Sequence, residues 1–216
     1  MTKTKTAIPV PPTLTKTVTK PAVTAARTPT KTAATVTRTV TKTATRIVTK
    51  TATPGTALNL LKDPGFELYP NNISWGQTST NSDTPLYNVT ICGSFGTAKP
   101  HTGRAWAWFG GVEAPSEVAT LSQTVVIPSG TTKLDFYFRI GSADAGSDAY
   151  DVFTVKVDGK IVWTANATQR ATYNAYKLVS INLGSYANGQ SHKISFNCSV
   201  TKQNVTFNLD DVNLHK

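Results

Sequence analysis

Acidic and aromatic side chains are missing from the first 57 residues of the chain, which hold instead 21 Thr and 10 Lys or Arg. Such a stretch has too little apolar surface to offset the entropy of ordering its backbone. Residues 1–57 are therefore expected to be a disordered, low-complexity Thr/Lys/Pro stalk. The theme Thr15-Lys-Thr-Val-Thr-Lys returns at Thr37 and Thr45 with Arg in second place, and its period is too short for a solenoid unit. Thr-rich sequence with Pro reads as a solvated spacer open to O-glycosylation. Its cations would also allow it to adsorb to an acidic cell-wall polymer.

Removing the stalk removes the charge asymmetry. The chain has 22 basic and 12 acidic residues, and subtracting the stalk's 10 and none leaves 12 of each in Leu58 to Lys216. With no basic stripe to follow phosphates, that remainder gives no reason to expect nucleic acid as a partner. Long apolar runs are lacking too, so no transmembrane segment is expected. Met1 opens directly into low-complexity sequence with no apolar signal core. The sequence is read as a fragment of a longer exported protein, or as one whose start lies further upstream. The expected location is extracellular or at the cell surface, inferred from the stalk and the domain.

Cysteine is scarce. An even pair, Cys92 and Cys198, permits one disulfide in an exported chain; the alternative is a buried thiol at Cys198 and an unpaired loop thiol at Cys92. The three histidines, His101, His192 and His215, lie far apart in no zinc-binding spacing. A nucleophile elbow, a phosphate loop and a dinucleotide fingerprint are all lacking, so the chain is expected to be non-catalytic. Asp144, Asp148 and Asp151 sit among Gly, Ala and Ser and read as a solvated loop, with a weak calcium site as the other reading. Sequons occur at Asn72, Asn88, Asn166, Asn197 and Asn204. Chance is sufficient to explain them in a sequence rich in Asn, Ser and Thr.

What is present from Leu58 onward is short alternating runs between Gly, Asn, Asp and Pro, the pattern of an all-β sandwich or barrel. Leu134, Phe136, Phe138 and Ile140 alternate with Asp135, Tyr137 and Arg139, which predicts a half-buried antiparallel strand. Phe153, Val155 and Val157 repeat the pattern, and Asp158-Gly159 predicts a two-residue hairpin into 160–164. Further strands are expected at 103–109 and 119–127, around Val179, Ile181 and Leu183, around Ile194, Phe196, Cys198 and Val200, and from Val205 onward. About eight strands fit a two-sheet jelly roll. Val205, Phe207 and Leu209 occupy one parity and Val212 and Leu214 the other. A register slip is therefore expected at Asp210-Asp211.

Five segments carry a family resemblance: Asn59-Leu-Leu-Lys-Asp-Pro-Gly-Phe-Glu67, Gly103-Arg-Ala-Trp-Ala-Trp-Phe-Gly-Gly111, Leu121-Ser-Gln-Thr-Val-Val-Ile-Pro128, Asp151-Val-Phe-Thr-Val-Lys-Val-Asp-Gly159 and Phe207-Asn-Leu-Asp-Asp-Val-Asn-Leu214. Together they resemble the carbohydrate-binding-module-like, galactose-binding-like jelly rolls of families 4, 9 and 22 from secreted bacterial proteins. The likeness covers nearly all of Leu58 to Lys216. It implies a structural calcium ion joining the Gly-Phe-Glu turn to the last strand: the Gly65 carbonyl, the Glu67 carboxylate and Asp210 or Asp211, with further ligands from 99–104. A loop without an acidic residue leaves that last part open.

The expected architecture is thus an all-β, two-sheet jelly-roll β-sandwich over residues 58–216, preceded by a disordered Thr/Lys-rich stalk over residues 1–57. Flat rings that stack on sugar C–H faces suggest polysaccharide or glycan as partner. Tyr137 and Arg139, opposite a core face, and Trp75 and Trp163, beside turns, are the candidate ligand-binding residues; core is the expected place for at least one of Trp106 and Trp108. The expected function is a non-catalytic carbohydrate-binding or adhesion accessory module with a structural calcium. Its rivals are a structural or protein-interaction sandwich that binds no sugar, and a stalk that is itself the active part.

Overall fold

Leu134, Phe136, Phe138 and Ile140 are fully buried, and the side chains between them are half-exposed. One face of this strand must therefore meet a second layer. The computed structural model describes residues 58–93, 98–111, 116–131, 133–143, 149–201 and 204–216; the expected stalk lies outside them. Ten strands are formed: β1 (Gly76–Ser79), β2 (Leu86–Asn88), β3 (Ala105–Gly110), β4 (Glu117–Val126), β5 (Lys133–Ser142), β6 (Val152–Val157), β7 (Lys160–Asn166), β8 (Lys177–Asn182), β9 (Ser191–Val200) and β10 (Thr206–His215). A single helical turn, Val89–Cys92, follows β2.

The strands make two antiparallel five-stranded sheets, in the orders β1-β4-β9-β6-β7 and β2-β3-β10-β5-β8. This is the all-β jelly-roll sandwich expected from the alternation. Its two additional strands, β1 and β2, have only four and three residues, too few to carry a readable alternation. Between the sheets, Phe153 meets Phe109, Phe138, Phe196 and Phe207 with ring centroids 5.0–6.4 Å apart. The hairpin after β6 turns on Asp158 and Gly159, with φ of 50° and 81°, the paired positive values that suit the twist of a two-residue hairpin.

The last strand breaks phase where expected. Register against β5 shifts between Asp210 and Asn213, and Asp211 takes a left-handed φ of 48°. Val212 and Leu214 are thereby returned to the core at full burial. Strand β3 pairs with β10 only over Thr206–Leu209, and beyond the bulge the first described segment takes its place. The Leu60 amide donates to the Leu214 carbonyl at 3.0 Å. Asn59 donates to the Val212 carbonyl at 2.8 Å and accepts from the Leu61 and Leu214 amides, both at 3.0 Å.

Candidate functional site

Two features share the second sheet: a knot of carboxylates at the bulge and an aromatic face turned away from the core. The knot begins in the turn Asp63–Glu67. Phe66, at a φ of 61°, is fully buried against Trp75, which leaves Glu67 to reach across to residues 101–105. Its Oε1 accepts from the Arg104 and Ala105 amides at 2.8 and 3.0 Å. Gly103 stands at a φ of 62°, and a Cβ there would lie 2.1 Å from Glu67 Oε1, so only glycine permits this approach.

From the other side, Asp210 Oδ2 accepts from the His101 and Thr102 amides at 2.8 and 3.2 Å, and its Oδ1 accepts from the Asp211 amide at 2.8 Å. Asp211 meets His101 Nδ1 at 2.6 Å and accepts from the Thr102 hydroxyl at 2.7 Å. A Cβ on Gly65 would lie 3.6 Å from Asp211 Oδ1, and Val212 donates to the Pro64 carbonyl at 3.0 Å. Gly65, Glu67, Asp210 and Asp211 are thus gathered around one short segment. Burial, then the neighbouring Asp211 charge, pushes the Asp210 carboxyl up to about 7 against the pull of its N–H bonds. Burial and the Asp210 charge likewise raise the Tyr176 phenol, whose hydroxyl donates to the Lys99 carbonyl at 3.0 Å. Among the described residues no group of three or more His, Cys, Asp or Glu side chains is arranged as a metal site. Any cation here would have to draw on backbone carbonyls as well.

The aromatic face follows from the parity of β3. Ala105, Ala107 and Phe109 face the core, so Trp106 and Trp108 project from the opposite side. Tyr87 on β2 pairs with Trp106, and the rings lie 5.9 Å (Tyr87–Trp106), 5.0 Å (Tyr87–Trp108) and 6.1 Å (Trp106–Trp108) apart. The Trp106 indole donates to Asn208 Oδ1 at 3.0 Å. Asn208 in turn pairs with Trp108 on one side and Arg139 on the other. A Cβ at Gly141 would come within 2.7 Å of Asn208 Nδ2, so a bare backbone keeps that amide in place. Trp106 is fully buried and Trp108 half-buried. Burial is expected for at least one of the two and Trp106 meets it, though outside the inter-sheet cluster. The small Ala105 and Ala107 beside them are the only sequence signal for the true orientation.

Of the four expected ligand contacts, Tyr137 and Arg139 lie half-exposed on this outer face. Tyr137 stacks on His101 at 3.6 Å, and Arg139 Nε donates to the Asn174 carbonyl at 3.2 Å. Trp75 requires correction, while Trp163 is half-buried with its ring packed against the core. Trp75 is 3% exposed, donates to the Asp63 carbonyl at 2.9 Å and packs on Phe66 and Phe196. Trp163 pairs with core-facing Val155 and so meets Phe136 and Phe138 at 5.5 and 5.1 Å.

The disulfide reading is corrected as well, because Cys92 and Cys198 are both free thiols. Cys198 sits in the core-facing row of β9 opposite Ala119 and Phe153, whereas Cys92 ends the helical turn that follows β2 of the other sheet. Asp151 is not in a solvated loop: it is fully buried and accepts from the Thr201 amide and hydroxyl at 2.6 and 2.9 Å. Asp144 and Asp148 fall outside the described residues. Among the sequons, Asn72 is buried with its amide spent on Asp63, Ser74 and Trp75, while Asn204 is exposed.

No family model matches the sequence, and no curated protein does. Among solved structures, the chain is similar to the carbohydrate-binding module TmCBM61, solved in complex with β-1,4-galactotriose. That match has 19% identity and a TM-score of 0.52, and covers 74% of this chain and 99% of that one. It is also similar to the K3 cleaved adhesin domain of Lys-gingipain from Porphyromonas gingivalis, with 15% identity and a TM-score of 0.51 over 74% and 98% of the two chains. At such identities the likeness is one of fold: a carbohydrate-binding-module-like β-sandwich.

Proposed function

We propose, with that sandwich as premise, that this chain is a non-catalytic, extracellular carbohydrate-binding or adhesion module whose sandwich is tied at one end by a structural calcium ion. The observation that carries the reading is the outer face of the second sheet, where Tyr87, Trp106 and Trp108 form one aromatic cluster beside Asn208 and Arg139. Rings offer stacking surface to sugar C–H groups, and the amide and guanidinium fix hydroxyl orientation. The fold shared with a galactotriose-binding module and an adhesin domain supports this assignment. Trp106, being fully buried, would back the platform, and half-buried Trp108 would present it. That same burial favours the competing reading, a protein-interaction sandwich that binds no sugar.

The calcium part rests on the knot's donor set. Three carboxylates crowd one segment, and among the described residues they are bonded by backbone amides, one imidazole and one hydroxyl, with no Lys or Arg. Hard oxygen ligands with surplus negative charge suit Ca²⁺. Glu67, Asp210 or Asp211, with the Gly65 carbonyl, would hold the ion and join the first and last segments of the sandwich.

Affinity electrophoresis of the full chain in gels containing neutral and acidic polysaccharides, β-1,4-galactan included, tests the sugar part. Retardation is expected, with Trp108→Ala weakening it roughly tenfold or more. A panel that stays blank overturns the reading. For the ion, calcium is expected to raise the melting midpoint and a chelator to lower it; superimposable curves would remove calcium and leave the sugar assignment standing.

A further inference from the structure

Beyond the bulge, the outer face of the second sheet contains a groove of about 330 Å³. Its lining includes Asn59 and Pro64 from the first described segment, Asn213 from β10, Asp135 and Tyr137 from β5 and Leu178 from β8. The volume is at the small end of ligand sites, room for roughly one or two sugar rings. Leu178 is 56% exposed, a large aliphatic side chain standing at the rim. The Tyr137 ring stacks on the His101 ring at 3.6 Å, so little freedom remains for it to lose on binding.

The polar lining has two unspent acceptors. Asn59 is committed to the Val212, Leu61 and Leu214 backbone, and Asp135 Oδ2 is bonded to His215 Nε2 at 2.7 Å. Asp135 Oδ1 and Asn213 Oδ1, by contrast, are both buried with no hydrogen bond of normal length among the described residues. An amide oxygen in that state calls for a donor supplied from outside the protein. Charge narrows the ligand further. Asp135 lines the groove and, among the described residues, no Lys or Arg does; the base bonded to Asp135 is His215, and the pair is anionic whenever that imidazole is neutral. In that state an acidic ligand would meet like charge at Asp135, which discriminates against it.

We infer that this groove is a subsite for an uncharged pyranose ring, one hydroxyl donating to Asn213 and the C–H faces resting on Tyr137 and Leu178, and that it rejects uronic-acid sugars. The inference rests on the carbohydrate-binding reading and adds a selectivity that reading does not contain. The full chain is run in affinity gels of β-1,4-galactan, xylan, glucomannan and polygalacturonate. At least one neutral polymer is expected to retard it and polygalacturonate is not. Asn213→Ala should weaken retention by roughly three- to tenfold, one hydrogen bond's worth. Leu178→Lys, at an exposed rim position, should weaken neutral retention and create salt-sensitive retention by polygalacturonate. Its exposure keeps the test open if Asn213→Ala does not fold. Wild-type retention by polygalacturonate equal to that by the neutral polymers overturns the inference. So does undiminished neutral binding in both groove variants when Trp108→Ala abolishes it, an outcome that leaves the sugar-binding function intact. Gels that stay blank for every polymer remove the function and the subsite together.

Discussion

Gly103 shows how one missing side chain organises the knot. With a φ of 62° and Glu67 Oε1 2.1 Å from the position of a Cβ, Gly103→Ala must both strain the backbone and dislodge a carboxylate that accepts two amides. The expected cost is about 2–4 kcal/mol, read from urea denaturation. Gly159 supplies the control: its φ is 81° with nothing within 4 Å of a Cβ, so Gly159→Ala should cost only about 1 kcal/mol. Equal losses in the two variants would show that the contact with Glu67 contributes nothing. None of this is visible in the sequence, where Gly103 is one glycine among 14. Trp75 is buried for a related reason: the neighbouring turn suggests exposure, but packing against Phe66 and Phe196 decides which side the ring takes.

At the scale of elements, alternation made the long strands legible and left the short ones hidden. The parity change between Leu209 and Val212 also located the bulge, because only an extra residue returns Val212 and Leu214 to the core. Docking of 59–64 beside that half of β10 could not be read, since it depends on one side chain. Asn59→Ala removes one donated and two accepted bonds, and is expected to destabilise by about 1–3 kcal/mol; a midpoint unchanged in urea would show that the segment docks without it. The same end of β10 carries a pH response. The Asp135 hydrogen bond, then the Lys216 carbonyl, raises the His215 ring above 6.5. Burial pushes the Asp135 carboxyl up, but bonds to Ser180 and His215 outweigh it and leave the pKa below 3.8. A raised imidazole contributes stability that is complete below pH 6.5 and fades as pH rises through its folded value. A lowered carboxylate contributes above pH 3.8 and is lost as pH falls through its own. The melting difference between wild type and His215→Gln should therefore be larger at about pH 5.5 than at about pH 8, and a constant difference would dissociate the pair from stability.

For the whole molecule, the sandwich was readable because every long strand had to hide one face, while the site was not, because it lies on faces that burial leaves undetermined. Trp106 and Trp108 turn outward only because Ala105, Ala107 and Phe109 fill the inner side, and the size of that inner space depends on both sheets at once. The cysteines report on the same closure. Cys198 is 1% exposed, and burial, with the charges of Glu117 and Asp151, holds its thiol well above the usual range. Its thiolate can form only when the sheets separate, whereas Cys92 is half-exposed in a short turn. Thiol labelling of the native chain should therefore modify one cysteine promptly and the other at the rate of global opening, slowing as stability rises. Phe153→Ala, which removes the ring meeting Phe109, Phe138, Phe196 and Phe207, should destabilise by about 3–5 kcal/mol. Labelling at Cys198 should then accelerate by two orders of magnitude or more while Cys92 is unaffected. Prompt labelling of both thiols in the wild type would mean that the two sheets part locally at β9, and protection of both would restore the disulfide that the structure excludes.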